Sequence, residues 1–148
     1  MLEWIAKTRF WARVGRVHAA MYRWSGGRIG MNAGGLSHLL LTTVGRRSGA
    51  ERTVPLTFLR DEDRFILVAS NGGAERHPAW WLNLEAAPSA RVRVGTEEFA
   101  VRAAAATGPE RDRLWARLTE YNPFYRRYAT ITARRIPVVV LTRETGGS

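Results

Sequence analysis

The chain has 148 residues, 23 basic against 13 acidic, a net charge of +10 and no cysteine. One domain is the expected count, the length is enough to build a core without staples, and disulfide or thiolate chemistry is excluded. Apart from Lys7 every basic residue is arginine, so the excess charge comes as planar forks suited to phosphate and carboxylate.

Residues 3–24 read as an amphipathic helix. Phe10, Val14, Val17, Met21 and Trp24 recur at helical spacing, with Arg9, Arg13, Arg16 and Arg23 beside them. Over residues 1–30, six basic residues (Lys7, Arg9, Arg13, Arg16, Arg23, Arg28) oppose Glu3, a local charge of +5. Ser25-Gly26-Gly27 ends the helix, and Gly30, Gly34 and Gly35 keep the connector irregular. The expected division is residues 1–35 for this helix and connector, and 36–148 for a single domain. Trp4, Trp11 and Trp24 among arginines suit an anchor on an anionic membrane surface, or equally a helix packed across the mouth of the domain. No run approaches the ~18 apolar residues of a membrane span. Glu3 interrupts the start and no secretory cleavage pattern follows. A cytoplasmic location is expected, peripheral to the inner membrane face if the anchor operates.

Beyond the connector the period changes to two. Leu39 to Val44 and Thr53 to Leu59 flank the polar turn Gly45-Arg46-Arg47-Ser48-Gly49-Ala50-Glu51-Arg52, which predicts a hairpin. Arg64 to Ser70 is a third strand after the acidic turn Asp61-Glu62-Asp63. Pro78 to Ala87 predicts a short helix closed by Pro88, and Ala90–Val94 with Glu98–Ala103 a second hairpin around Gly95-Thr96. Thr107-Gly108-Pro109-Glu110 opens a helix that turns Leu114, Trp115 and Leu118 inward. Tyr121 to Ala133 is an aromatic helical piece broken by Pro123, and Ile136 to Thr142 a last buried strand. Short strands joined by hairpins predict an α+β, mainly β fold: an antiparallel sheet curled into a barrel with flanking helices. A doubly wound parallel sheet needs a helix after nearly every strand, and that is missing.

Three motifs carry chemistry. In the first hairpin turn, Gly45 and Gly49 let the backbone approach an anion, and Arg46, Arg47, Ser48 and Arg52 surround one spot; the same residues also suit a solvated turn. Ala69-Ser70-Asn71-Gly72-Gly73 ends a strand in small residues, leaving room for a flat ring, and Trp80 and Trp81 follow as pocket walls or as core. Tyr121, Tyr125 and Tyr128 share a helical face, lining a pocket or packing inward. Other readings fail. No Gly-x-Ser-x-Gly elbow, Gly-Lys phosphate loop or dinucleotide fingerprint is present, and His18, His38 and His77 lack metal-ligand spacing. No metal is expected, and the +10 charge lacks the aromatic interleaving of a nucleic-acid binder. Without a nucleophile or acid–base pair, chemistry has to come from a cofactor.

Residues 39–142 resemble the deazaflavin-dependent nitroreductase family, which uses coenzyme F420, an 8-hydroxy-5-deazaflavin. The resemblance lies in residues 39–49 (Leu-Leu-Leu-Thr-Thr-Val-Gly-Arg-Arg-Ser-Gly), 52–56 (Arg-Thr-Val-Pro-Leu), 68–73 (Val-Ala-Ser-Asn-Gly-Gly), 77–84 (His-Pro-Ala-Trp-Trp-Leu-Asn-Leu) and 134–141 (Arg-Arg-Ile-Pro-Val-Val-Val-Leu). It implies a split β-barrel and hydride transfer from reduced deazaflavin to a quinone, nitroaromatic or similar flat acceptor. It also implies site roles. Arg46, Arg47, Ser48 and Arg52 would hold the phosphate and oligoglutamate tail. Val54, Pro55 and Leu56, flanked by Thr53 and Thr57, would contact the ring or its linker. Val68, Ala69, Ser70 and Asn71 would lie along the deazaflavin, and Ala79, Trp80, Trp81, Leu82 and Asn83 would close the site. Tyr121, Tyr125 and Tyr128 would face the acceptor, with Ser70, Tyr125 or Tyr128 stabilising or protonating the anion formed. Two positions depart from the family pattern: Asn122 stands where a tyrosine would precede the proline, and Asn71 where some members carry a basic residue. The rival readings are a non-catalytic barrel carrying a deazaflavin, fatty acid or haem, and an oxidoreductase using FMN.

Overall fold

The computed structural model describes residues 36–144; the helix expected over 3–24 lies outside them, as does the boundary at residue 35. The elements are β1 (Ser37–Val44), β2 (Glu51–Asp61), β3 (Arg64–Val68), α1 (Ala79–Ala86), β4 (Ser89–Val94), β5 (Glu97–Ala105), α2 (Gly108–Tyr121), α3 (Phe124–Ile131) and β6 (Val138–Arg143). The strands close into an antiparallel barrel in the order β1-β2-β3-β6-β5-β4. No described helix is long and apolar enough to cross a membrane.

Side-chain alternation divides the core in two. Leu39 and Leu41 of β1, Phe65 and Leu67 of β3, and Val139 and Leu141 of β6 fill the barrel interior. The alternate residues Ile66, Val68, Val138 and Val140 face outward and pack with Leu114 and Leu118 of α2 and Tyr125 of α3. Strands β3 and β6 are therefore buried on both faces, which is why their sequences are nearly unbroken apolar runs. At one end the interior is stoppered by Trp80, Trp81 and Leu84 of α1.

The barrel is not evenly paired. Residues 51–58 of β2 pair with β1, whereas β2 meets β3 only at Leu59↔Ile66, Arg60↔Phe65 and Asp61↔Arg64. Beyond that point the two strands part, so the first two-thirds of β2 behaves as an edge. Pro55, which lacks an N–H, is tolerated there for that reason. The joined end is fastened by a buried carboxylate. Asp61 is 4% exposed and accepts hydrogen bonds from Arg64 at 2.5 Å, from both terminal nitrogens of Arg113 at 3.0 and 3.1 Å, and from Arg117. Hydrogen bonds from Arg113 and Arg64 hold its pKa well below the usual carboxylate range. The turn Asp61-Glu62-Asp63 thereby locks onto α2.

Most strand ends differ from the sequence expectation by one or two residues, β2 for example spanning Glu51–Asp61 and β6 Val138–Arg143, and two boundaries have a visible cause. The third strand stops at Val68 rather than Ser70, because the Ala69 and Ser70 carbonyls turn to the Arg134 guanidinium. The aromatic segment after Tyr121 starts its helix at Phe124, where the Asn122 side chain accepts the Phe124 N–H at 3.2 Å.

Candidate cofactor site

The first hairpin turn owes its shape to its glycines. The Gly45 N–H donates to the Ala50 carbonyl at 2.7 Å, and the Gly49 N–H to that of Gly45 at 2.8 Å. A Cβ at Gly45 would stand 2.7 Å from Ser48 Oγ and 3.2 Å from the Ala50 carbonyl, so a larger residue would have to displace the Ser48 hydroxyl and shift the turn. Gly49 has φ +71, a conformation that glycine adopts without strain. Ser48 Oγ accepts the Ala50 N–H at 3.1 Å, completing the turn.

The turn is pinned to α1 by Asn83, which is 4% exposed. Its Nδ2 donates to Thr43 Oγ1 at 3.0 Å. Its Oδ1 accepts the Arg46 backbone N–H at 3.1 Å and Arg46 Nη1 at 3.4 Å. Turn and helix enclose a cavity of about 410 Å³. Arg46, Arg47, Ser48 and Arg52 line it together with Thr43, Gly45, Val54, Ala79, Trp80 and Asn83. Three arginines and no carboxylate among the lining residues make this an anion cradle with an aromatic wall. That donor set fits a cofactor with a flat ring and an anionic tail.

The remaining expected residues are distributed differently. Strand alternation turns Val54 and Leu56 toward the barrel interior and leaves Thr53, Pro55 and Thr57 on the opposite face. Thr53 Oγ1 shares a 2.8 Å hydrogen bond with Thr42 across the strands. Val68 packs on the helices, whereas Ala69 faces the interior. Trp81 lies in the interior cluster and borders a second cavity, also of about 410 Å³, beside Arg111 and Ile136. It does not line the arginine cradle, because adjacent helical residues project in different directions. Leu82 is half-buried and also stays off the cradle wall.

Ser70 is buried and begins a tight turn at Asn71–Gly73. Asn71 has φ +48, and its amide donates to the Arg76 carbonyl at 3.1 Å. Asparagine enters this left-handed region more readily than a lysine or arginine, so Asn71 suits the turn it occupies. Tyr121 takes its hydroxyl to the Ser37 N–H at 2.5 Å, fastening the start of β1. Tyr125 is buried beneath α3, and burial pushes its pKa up to about 12 despite a hydrogen bond with Asn122. Tyr128 is half-buried and stacks against the exposed Phe124 at 6.4 Å. Tyr121 and Tyr128 are thus both half-buried, and Tyr128 also packs on the outer core cluster beside Leu114 and Leu118.

Sequence reasoning missed Thr43 as a lining residue, and Arg134 as an anchor. The i, i+3, i+4 spacing of Asn83 from Ala79 and Trp80 was the signal that one face of α1 meets the cradle. Among the described residues no three of His, Cys, Asp and Glu converge as metal ligands.

Comparison with known proteins adds a family. The family described as F420H(2)-dependent quinone reductase matches residues 13–143. An F420H(2)-dependent quinone reductase of Mycobacterium tuberculosis (strain H37Rv) is 43% identical over 133 residues, covering 87% of this chain and 89% of that protein. A solved F420-H2 dependent reductase, FDR-A, superposes with a TM-score of 0.65 at 36% identity, over 71% of this chain and 93% of that one. Another solved structure, described as a domain-swapped dimer, gives 0.67 at 30% identity, over 88% and 99% of the two chains.

Proposed function

Since the chain belongs to the F420H(2)-dependent quinone reductase family, we propose that it transfers a hydride from reduced coenzyme F420 to a quinone, with nitroaromatics as further acceptors. The cradle of Arg46, Arg47 and Arg52 beside Trp80 is the observation that carries this reading. The three guanidiniums bind the phosphate and glutamate carboxylates of the tail, and Ser48 shapes the turn that presents them. Trp80 and Val54, the large apolar residues of the lining, would flank the ring. The bound deazaflavin supplies a hydride, its ring carbon in place of the flavin nitrogen disfavouring one-electron steps.

Hydride addition leaves a quinone as an oxyanion that one proton completes to the quinol. Tyr128 would hold or supply that proton, and the Ser70 hydroxyl would hydrogen-bond the oxyanion. Tyr125 contributes from the core, by fixing α3. Its raised pKa makes it the poorer donor.

Quinones partition into lipid, and the +5 charge over residues 1–30 with three tryptophans suits a peripheral contact with an anionic membrane. Residues 1–30 would thereby bring a cytoplasmic enzyme to its acceptor. The test of function is oxidation of reduced F420 with menadione, beside fluorescence titrations with F420 and FMN. Turnover with selective F420 quenching supports the reading. Binding without turnover indicates a carrier, and preference for FMN indicates a flavoenzyme.

A further inference from the structure

Arg134 follows α3 and reaches back to the end of β3. Its Nε donates to the Ala74 carbonyl at 2.8 Å, and Nη2 to the Ser70 carbonyl at 2.8 Å and the Ala69 carbonyl at 3.2 Å. Nη1 bonds the Ala69 carbonyl at 3.2 Å and His77 Nδ1 at 3.0 Å. A guanidinium has five N–H donors and no acceptor, so the fork is saturated and His77 Nδ1 is the accepting nitrogen. No carboxylate pairs with Arg134 in any described ion pair. The acceptors are one histidine ring and the backbone of a single loop.

That loop needs holding. Asn71, Gly72 and Gly73 have φ of +48, +64 and +84 in succession, a single turn whose own backbone bonds are Gly73 N–H to the Ser70 carbonyl at 2.8 Å and Ala74 N–H to the Asn71 carbonyl at 3.1 Å. Gly73 packs tightly under α3: a Cβ there would stand 3.2 Å from Ile131 Cβ and 3.3 Å from the Tyr128 carbonyl. Loop and helix therefore form one unit, joined by the Gly73 contact and by the Arg134 fork.

We propose that Arg134 is a positioning residue for hydride transfer, setting the Ala69–Ala74 backbone along the ring and fixing it relative to Tyr128 on the acceptor side. This rests on the function proposed above and deepens it. Neither Arg134 nor the Ala69–Ala74 loop lines the tail cradle, so its loss should act on ring geometry rather than tail affinity.

The test uses the full-length enzyme, reduced F420 and menadione, with Arg134→Ala and Arg134→Lys. Arg134→Ala should lower kcat by about tenfold or more while the Kd for F420 stays within about threefold, since a misplaced ring loses rate before the tail loses its contacts. Arg134→Lys, with one ammonium in place of the fork, should fall between. Partial recovery of Arg134→Ala by millimolar guanidinium, against matched sodium chloride, would mark donation to those carbonyls. Should Arg134→Ala fail to fold, the split between kcat and Kd in Arg134→Lys decides. Unchanged kcat, or kcat and affinity falling by the same factor, overturns the inference while wild-type turnover preserves the function. Wild-type protein that neither binds nor oxidises reduced F420 overturns the function itself.

Discussion

Asn83 offers a way to separate the shape of the cradle from its charge. Asn83→Ala removes the amide that donates to buried Thr43 and accepts twice from Arg46. Thr43 is 2% exposed and loses a partner that water does not easily replace. A lost hydrogen bond costs about 0.5–1.5 kcal/mol, and an orphaned buried group about 1–3 kcal/mol. The expected destabilisation is about 2–3 kcal/mol, or a Tm lower by about 4–12 °C for a domain of this size. Asn83→Asp keeps the acceptor for Arg46 and can accept from the Thr43 hydroxyl, so stability should hold to within about 1 kcal/mol. It also places a negative charge in the wall of an anion site. At about 5–8 Å and an effective dielectric of about 20, that charge repels a bound phosphate or carboxylate by about 2–3 kcal/mol, some 30- to 150-fold in Kd. Urea denaturation and F420 fluorescence quenching, run on both variants, give the two numbers. Asn83→Asp that binds F420 as tightly as wild type would refute the assignment of this cavity to an anion.

Arg47→Ala and Arg52→Ala should each weaken F420 binding by about 1–3 kcal/mol, with a shallower salt dependence in the same titration. Tyr128→Phe should lower kcat with menadione by about tenfold and leave the Kd for F420 unchanged. Tyr125→Phe should leave kcat alone and lower Tm, because its hydroxyl serves Asn122 in the core. Asp61 ionises more easily folded than unfolded, so its contribution to stability is whole above about pH 4, the unfolded carboxylate value, and is lost as pH falls further. Asp61→Asn should therefore be less stable at neutral pH, with a flatter stability profile below pH 4 by urea melts. Vesicles with anionic lipid should pellet full-length protein more than a chain starting at residue 25, and equal pelleting would discard the membrane contact.

The barrel was legible because its rules are local. Short apolar or alternating runs bounded by turn residues marked the strands, and continuous apolar runs at residues 65–68 and 138–141 reported burial on both faces. What sequence could not resolve was direction. Residues 53–57 looked like one contact surface, yet alternation sends Thr53, Pro55 and Thr57 away from Val54 and Leu56. Trp80 and Trp81 looked like a pair, yet only Trp80 reaches the cradle. Arg134 was visible as part of a motif, but its partners are carbonyls some 60 residues away in the chain. Such contacts leave no residue-type signature, since every residue has a carbonyl.

The central claim is that the arginine turn grips the anionic tail of the cofactor. The direct measurement compares binding of intact F420 with its chromophore stripped of phosphate and glutamates, by wild type and by an Arg47→Ala/Arg52→Ala double variant. Wild type should prefer the intact cofactor by about a hundredfold or more, as two charge-assisted contacts of about 1.5–3 kcal/mol imply, and the double variant should lose most of that preference. Equal affinity of wild type for the two ligands, or a preference that survives loss of both arginines, would contradict it.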